Sequence, residues 1–245
     1  MPSWVYSRFS APQKVRGAAL ETAQLELHLN ASRNDLYLND FPFPILIYSR
    51  DVVIIDKPAG LAVHPGPKTP DSLEDHLPAL ANGGFVPVAA HRLDRDTSGC
   101  LAVARTRRGV KWLSAAFEER KAEKVYWAIL LSLPATAEGL VDAPLKKVST
   151  AETGWRMVVR RDGKPARTHW RVLDAATRLV EFRPETGRTH QIRVHAARIG
   201  CPIAGDPVYG DGIGPMRLHA QGLAITLPDG QRLEASCDPP ADWPI

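Results

Sequence analysis

Cysteine is scarce: three residues in 245, at positions 100, 201 and 237, with no CxxC pair among them. That scarcity speaks against a disulfide framework or a cysteine zinc site and fits a reducing compartment. No HExxH occurs, and His190 and His195 stand five apart rather than four, so there is no helical metal pair. No GxSxG supports a serine hydrolase, and no GxGxxG or GxxxxGK[ST] supports a nucleotide loop. No apolar run reaches the roughly 18 residues of a membrane span. Met1 to Ser10 lacks an apolar stretch, so no secretory signal and a cytoplasmic location are expected. There is no internal repeat and no low-complexity linker.

What is present is 44% hydrophobic residues, enough for a sizeable core, and a net charge of +4. The cations cluster as Arg105-Thr106-Arg107-Arg108, Lys121 with Lys124, Lys146-Lys147, and Arg160-Arg161 with Lys164 and Arg167. Each cluster alone reads as a solvated face. Together they suit a polyanionic partner.

Residues 1–43 carry weak signals and read as an N-terminal arm or extension, in which Ala18 to Leu29 suits a short helix or an edge strand. Residues 44–245 read as one catalytic-size domain. Ile45–Tyr48 and Val52–Ile55 are β-branched runs around Ser49-Arg50-Asp51, a predicted hairpin. Leu61–Val63 suits a short strand, and Ser72–Leu80 a short helix capped by Asp71. Val110, Leu113 and Phe117 give Thr106–Arg120 a helical stripe. Strands are expected at Leu101–Ala104, Val125–Leu133, Trp155–Val159, Thr168–Leu173 and Leu179–Phe182. A helix is expected at Thr189–Ile199, ended by Gly200, and a closing hairpin around Pro228-Asp229-Gly230. Many strands and few helices predict an α+β fold: a mixed, largely antiparallel central sheet flanked by helices.

The densest chemistry is His91-Arg92-Leu93-Asp94-Arg95-Asp96-Thr97-Ser98-Gly99. Ions beside an apolar strand cost several kcal/mol, roughly, unless paired or used. Asp94-Arg95-Asp96-Thr97 resembles a DxDxT phosphatase signature, but His91 and Arg92 stand where that signature needs an apolar strand.

The whole set of segments resembles the RluA-type RNA pseudouridine synthases. The carriers are Asp56-Lys57-Pro58-Ala59-Gly60-Leu61-Ala62-Val63-His64-Pro65, the stretch from His91 to Gly99, Lys124-Val125-Tyr126, and Gly187-Arg188-Thr189-His190-Gln191-Ile192-Arg193-Val194-His195. Gly205-Asp206-Pro207-Val208-Tyr209-Gly210 and Leu218-His219-Ala220 complete them, in the family's order. The resemblance implies that a uridine in RNA is detached from its ribose at nitrogen 1, turned over and rejoined through carbon 5, without cofactor or metal. Asp94 matches the catalytic aspartate, Arg193 the arginine paired with it, and Tyr126 the tyrosine that stacks on the uracil. Arg92 matches the arginine that fills the space left by an everted base. Arg188, Leu218 and His91 join it as substrate-binding residues, while His91, Thr97 and Ser98 also shape the loop and Asp56-Lys57-Pro58 shape pocket walls. The implied partner is an RNA stem-loop, ribosomal or transfer RNA, met by a monomer with no obligate protein partner. Residues 1–43 are too short for the small N-terminal RNA-binding module of many relatives.

Overall fold

Val52, Val53, Ile54 and Ile55 are all fully buried, as a strand covered on both faces must be. They belong to a computed structural model that describes residues 41–66, 69–81, 83–150 and 154–245. The segment Ala18–Leu29, and residues 1–40 of the expected arm, lie outside the described residues.

In chain order the strands are β1 (Ile45–Tyr48), β2 (Val52–Lys57), β3 (Val88–Ala89), β4 (Ser98–Ala104), β5 (Ala122–Ile129), β6 (Glu138–Asp142), β7 (Leu145–Thr150), β8 (Gly154–Val159), β9 (Arg167–Asp174), β10 (Leu179–Pro184), β11 (Leu218–Thr226) and β12 (Arg232–Ser236). The helices are α1 (Leu73–His76), α2 (Arg107–Glu118) and α3 (Gln191–Arg198). The main sheet runs β1-β2-β4-β11-β5-β10-β9-β6, with β12 added on β11 and β3 on β4, while β7 and β8 form a separate two-stranded sheet. Thus the fold is α+β with a mixed, mostly antiparallel sheet.

The one parallel pairing among the described strands joins β4 to β11, at Ser98 with His219 and Gly99 with Ala220. The two backbones approach so closely that a Cβ on Gly99 would lie 2.3 Å from the Ala220 carbonyl oxygen, and Gly99 itself sits at φ +109°. Only glycine fits there.

Helix α2 starts at Thr106, whose hydroxyl accepts the Gly109 N–H at 3.0 Å. Its Leu113 and Ala116 are buried against β2, β4, β11 and β12, with Val110 and Phe117 packed alongside. Helix α3 sets Ile192 and Ala196 into a second cluster with Val180, Phe182 and Ile203. Among the described residues no helix is long and apolar enough to cross a membrane.

Several local expectations need correction. Ser72, not Asp71, caps α1, through a reciprocal pair with Asp75, and the segment tightens into a 3₁₀ turn at Leu77–Leu80, where Pro78 stands. Asp71 instead meets His76 at 3.0 Å. Leu61–Val63 makes a single bridge from Ala62 to Ser72, not a strand. Strand β4 starts at Ser98 rather than Leu101, because Gly99 and Cys100 pair with Lys57 and Asp56. Strand β5 ends at Ile129, before the predicted Leu133. Helix α3 starts at Gln191 because His190 takes a left-handed conformation, φ +52°.

Candidate active site

The loop of residues 91–97 leads straight into β4, so whatever holds β4 holds Asp94. Leu93 is buried as its anchor, and the Thr97 N–H donates to the Asp94 carbonyl at 3.1 Å. Lys57, with no exposed surface, straps the loop from behind. Its ammonium donates to the carbonyls of Pro58 (2.6 Å), Leu61 (2.8 Å) and Arg95 (3.2 Å). Burial pulls this amine down to about 8, against the pull of Asp96, Asp94 and Asp56 in the other direction. Contrary to expectation, Asp56, Lys57 and Pro58 are not among the cavity-lining residues, and Lys57 serves the loop's far side.

Arg193 stands in the first turn of α3 and is buried. Its guanidinium forks onto Asp206 at 2.7 and 2.8 Å and reaches Asp94 Oδ2 with the remaining nitrogen at 3.2 Å. Asp206 also accepts the N–H groups of Val208 (2.8 Å) and Tyr209 (3.1 Å). Burial alone would raise the Asp206 carboxyl. Arg193 and the two N–H groups outweigh it and hold the group below the usual carboxylate range. Asp94 Oδ1 makes no protein hydrogen bond among the described residues, and Asp94 keeps partial exposure.

A second carboxylate contact comes from His190, whose Nε2 lies 3.9 Å from Asp94 Oδ2. Its Nδ1 meets the Tyr209 hydroxyl at 3.0 Å, and that hydroxyl accepts the Met157 N–H at 2.9 Å. Burial lowers the His190 pKa and outweighs the attraction of Asp94, so the ring is neutral at pH 7.

In front of Asp94 opens a cavity of about 500 Å³, within the usual size of a small-molecule pocket. Asp94, Arg193, Tyr126, Leu218, Arg92, Arg188 and His91 all line it, so one wall gathers every residue expected to act on or bind the substrate. Tyr126 comes from β5, opposite Phe182 of β10, and Leu218 from the start of β11. Burial, and next the Asp94 charge, push the Tyr126 hydroxyl pKa up, so the phenol stays protonated.

A family model described as RNA pseudouridylate synthase matches residues 51–198. The chain belongs to this family. It is an isomerase of the RluA type, an RNA pseudouridine synthase. The synthase is 48% identical over 189 residues, covering 74% of this chain and 86% of the other, to an uncharacterised RNA pseudouridine synthase of Zymomonas mobilis. It is 40% identical over 209 residues to the ribosomal large subunit pseudouridine synthase D of Escherichia coli K12, covering 80% of this chain and 62% of that protein. Among solved structures, human RNA pseudouridylate synthase domain containing 4 superposes with a TM-score of 0.69 at 29% identity, over 86% of this chain and 93% of that one.

The synthase uses its remaining wall residues unequally. His91 Nε2 accepts the Ala102 N–H at 3.0 Å, and its ring packs 4.7 Å from Phe117. Burial drops its pKa to about 3, so it stays neutral. Arg188 donates through Nε to the Pro165 carbonyl at 3.1 Å. Arg92 is exposed at the cavity.

Four contributors carried no assigned role in the sequence reading. Asp206 and Tyr209 lie in a quoted segment but act through Arg193 and His190. Lys124 lines the cavity with an amine that burial, aided by Arg120, brings down to about 8. Gln191 ties the loop before α3 to β9, accepting from Thr186 (2.7 Å) and the Arg188 N–H (3.0 Å) and donating to the Arg167 carbonyl (2.9 Å). The signal was present as residue type; the pairing was not.

Proposed function

We propose that this synthase isomerises a uridine of large-subunit ribosomal RNA, that Asp94 is its catalytic carboxylate, and that it works as a cytoplasmic monomer without cofactor. The observation that carries the reading is the half-held carboxylate. Arg193 and His190 face one oxygen of Asp94, while the other has no protein partner among the described residues, at the wall of a cavity that Tyr126 and Leu218 also line.

The bond from ribose carbon 1′ to uracil nitrogen 1 breaks and a bond from carbon 1′ to carbon 5 forms. The proton displaced from carbon 5 is matched by one gained at nitrogen 1, so substrate and product are isomers and no redox partner is required. A fixed carboxylate suits attack on the sugar or proton abstraction from it. Asp94 works there, Arg193 orients it, and Tyr126 offers an aromatic face to the uracil. Eversion of the uridine costs roughly a few kcal/mol, and Arg92 stands at the cavity to occupy the vacated stack. Arg188 meets phosphate. His91 and Leu218 shape the wall.

Support for ribosomal RNA comes from relatives in several bacteria named for the ribosomal large subunit. A cavity complete within one chain supports a monomer. Three free thiols support a reducing cytoplasm. Transcriptome-wide pseudouridine mapping with and without the gene tests the substrate. Loss of one or a few large-subunit sites is expected; loss confined to transfer RNA overturns the ribosomal choice.

A further inference from the structure

Strand β8 opens with Gly154 and Trp155, and Trp155 stays 46% exposed. Its ring centroid lies 5.0 Å from the His190 ring, with the planes 34° apart. Lys147, on β7, places its ammonium 4.6 Å from the indole centroid. The two are diagonal neighbours across the ladder, since Ser149 pairs with Trp155 and Lys147 with Met157. The same His190 lines the cavity and approaches Asp94 to 3.9 Å. A half-exposed indole therefore stands one ring away from the carboxylate, outside the cavity proper.

A single exposed aromatic needs no explanation. This one has a cation over it and a histidine beside it whose Nε2 approaches Asp94 to 3.9 Å. When a nucleotide is everted, its neighbours lose a stacking partner. An indole face with an ammonium above it replaces that partner for any base, and the displaced ammonium is free to meet a phosphate.

We infer that Trp155, with Lys147 over it, is a subsite for an unpaired nucleobase that flanks the target uridine. This rests on the reading that the substrate is RNA carrying an everted uridine in the Asp94 cavity. The subsite belongs to the two-stranded sheet, so the nucleotide next to the target is held by an element outside the main sheet.

The test uses stem-loop transcripts that contain the mapped uridine, with each flanking nucleotide in turn made abasic. Pseudouridine formation is followed with the wild type, Trp155→Ala and Trp155→Phe. Stacking on one aromatic face predicts about a tenfold loss of kcat/KM for Trp155→Ala, carried by KM, with most of it recovered in Trp155→Phe. It also predicts that one abasic position costs the wild type about the same factor and costs Trp155→Ala nothing further. Penalties that multiply at every position, or a loss in kcat with KM unchanged, would show that Trp155 only props His190 and overturn the subsite. Full activity of Trp155→Ala overturns it too. Turnover of the intact transcript by the wild type reports separately on the underlying reading, which fails if no pseudouridine forms.

Discussion

Arg193 serves two carboxylates at once, and that split decides what single substitutions do. Its fork belongs to Asp206, and only the remaining nitrogen reaches Asp94. A lysine there keeps the charge but cannot hold both partners. Arg193→Lys is expected to lower single-turnover pseudouridine formation at least a hundredfold while the far-ultraviolet circular dichroism stays unchanged. Asp206→Asn removes the charge that the buried guanidinium depends on and is expected to cost roughly 3–5 kcal/mol of stability at pH 7. The sign of its pH dependence follows from the lowered Asp206 pKa. Stability from a depressed carboxylate is complete above its unfolded pKa and disappears as pH falls through the folded one. The gap in urea midpoint between wild type and Asp206→Asn is therefore expected to narrow once the pH drops below the ordinary carboxylate range. A gap that stays constant down to pH 2 contradicts the pairing.

Helix α2 shows how an element can reverse a propensity. Glycine inside a helix usually costs about 1 kcal/mol against alanine. At Gly109 a Cβ would lie 2.1 Å from the Asp51 carbonyl oxygen, backbone that cannot step aside cheaply. Gly109→Ala is expected to destabilise by about 1–3 kcal/mol in urea unfolding, opposite to the propensity rule. Stabilisation would show that α2 can lift off Asp51. The helix itself was legible in its Val110, Leu113 and Phe117 stripe, and β2 and β4 were legible as apolar runs. Strands β6 and β7 were not: each buries a single residue, Val141 and Leu145, so alternation never rises above noise. The Asp71 assignment failed because Ser72, one residue on, had Asp75 at the reciprocal capping distance.

For the molecule as a whole, the loop that carries Asp94 sits where strands far apart in sequence meet, β4 beside β11. Gly99 marked the turn in the sequence, but nothing local announced that Ala220 would press against it. In the same way the motifs placed Asp94, Tyr126 and Arg193 in one family pattern, whereas the Lys57 strap was hidden because a lysine with no exposure runs against its usual place at the surface. Besides Arg193, four cations line the cavity, Arg92, Arg120, Lys124 and Arg188, and none of these four pairs with a carboxylate among the described residues. If each meets a phosphate, the logarithm of RNA affinity is expected to fall with the logarithm of salt with a slope of roughly −3. A slope near zero would remove these residues from the RNA interface.

Everything converges on the carboxylate of Asp94, and the most direct measurement is single-turnover pseudouridine formation by Asp94→Asn, with RNA affinity measured on the same protein. Asparagine keeps the shape and loses the charge. The predicted result is no detectable pseudouridine and an affinity within about threefold of wild type. Isomerisation at the wild-type rate would contradict the assignment outright.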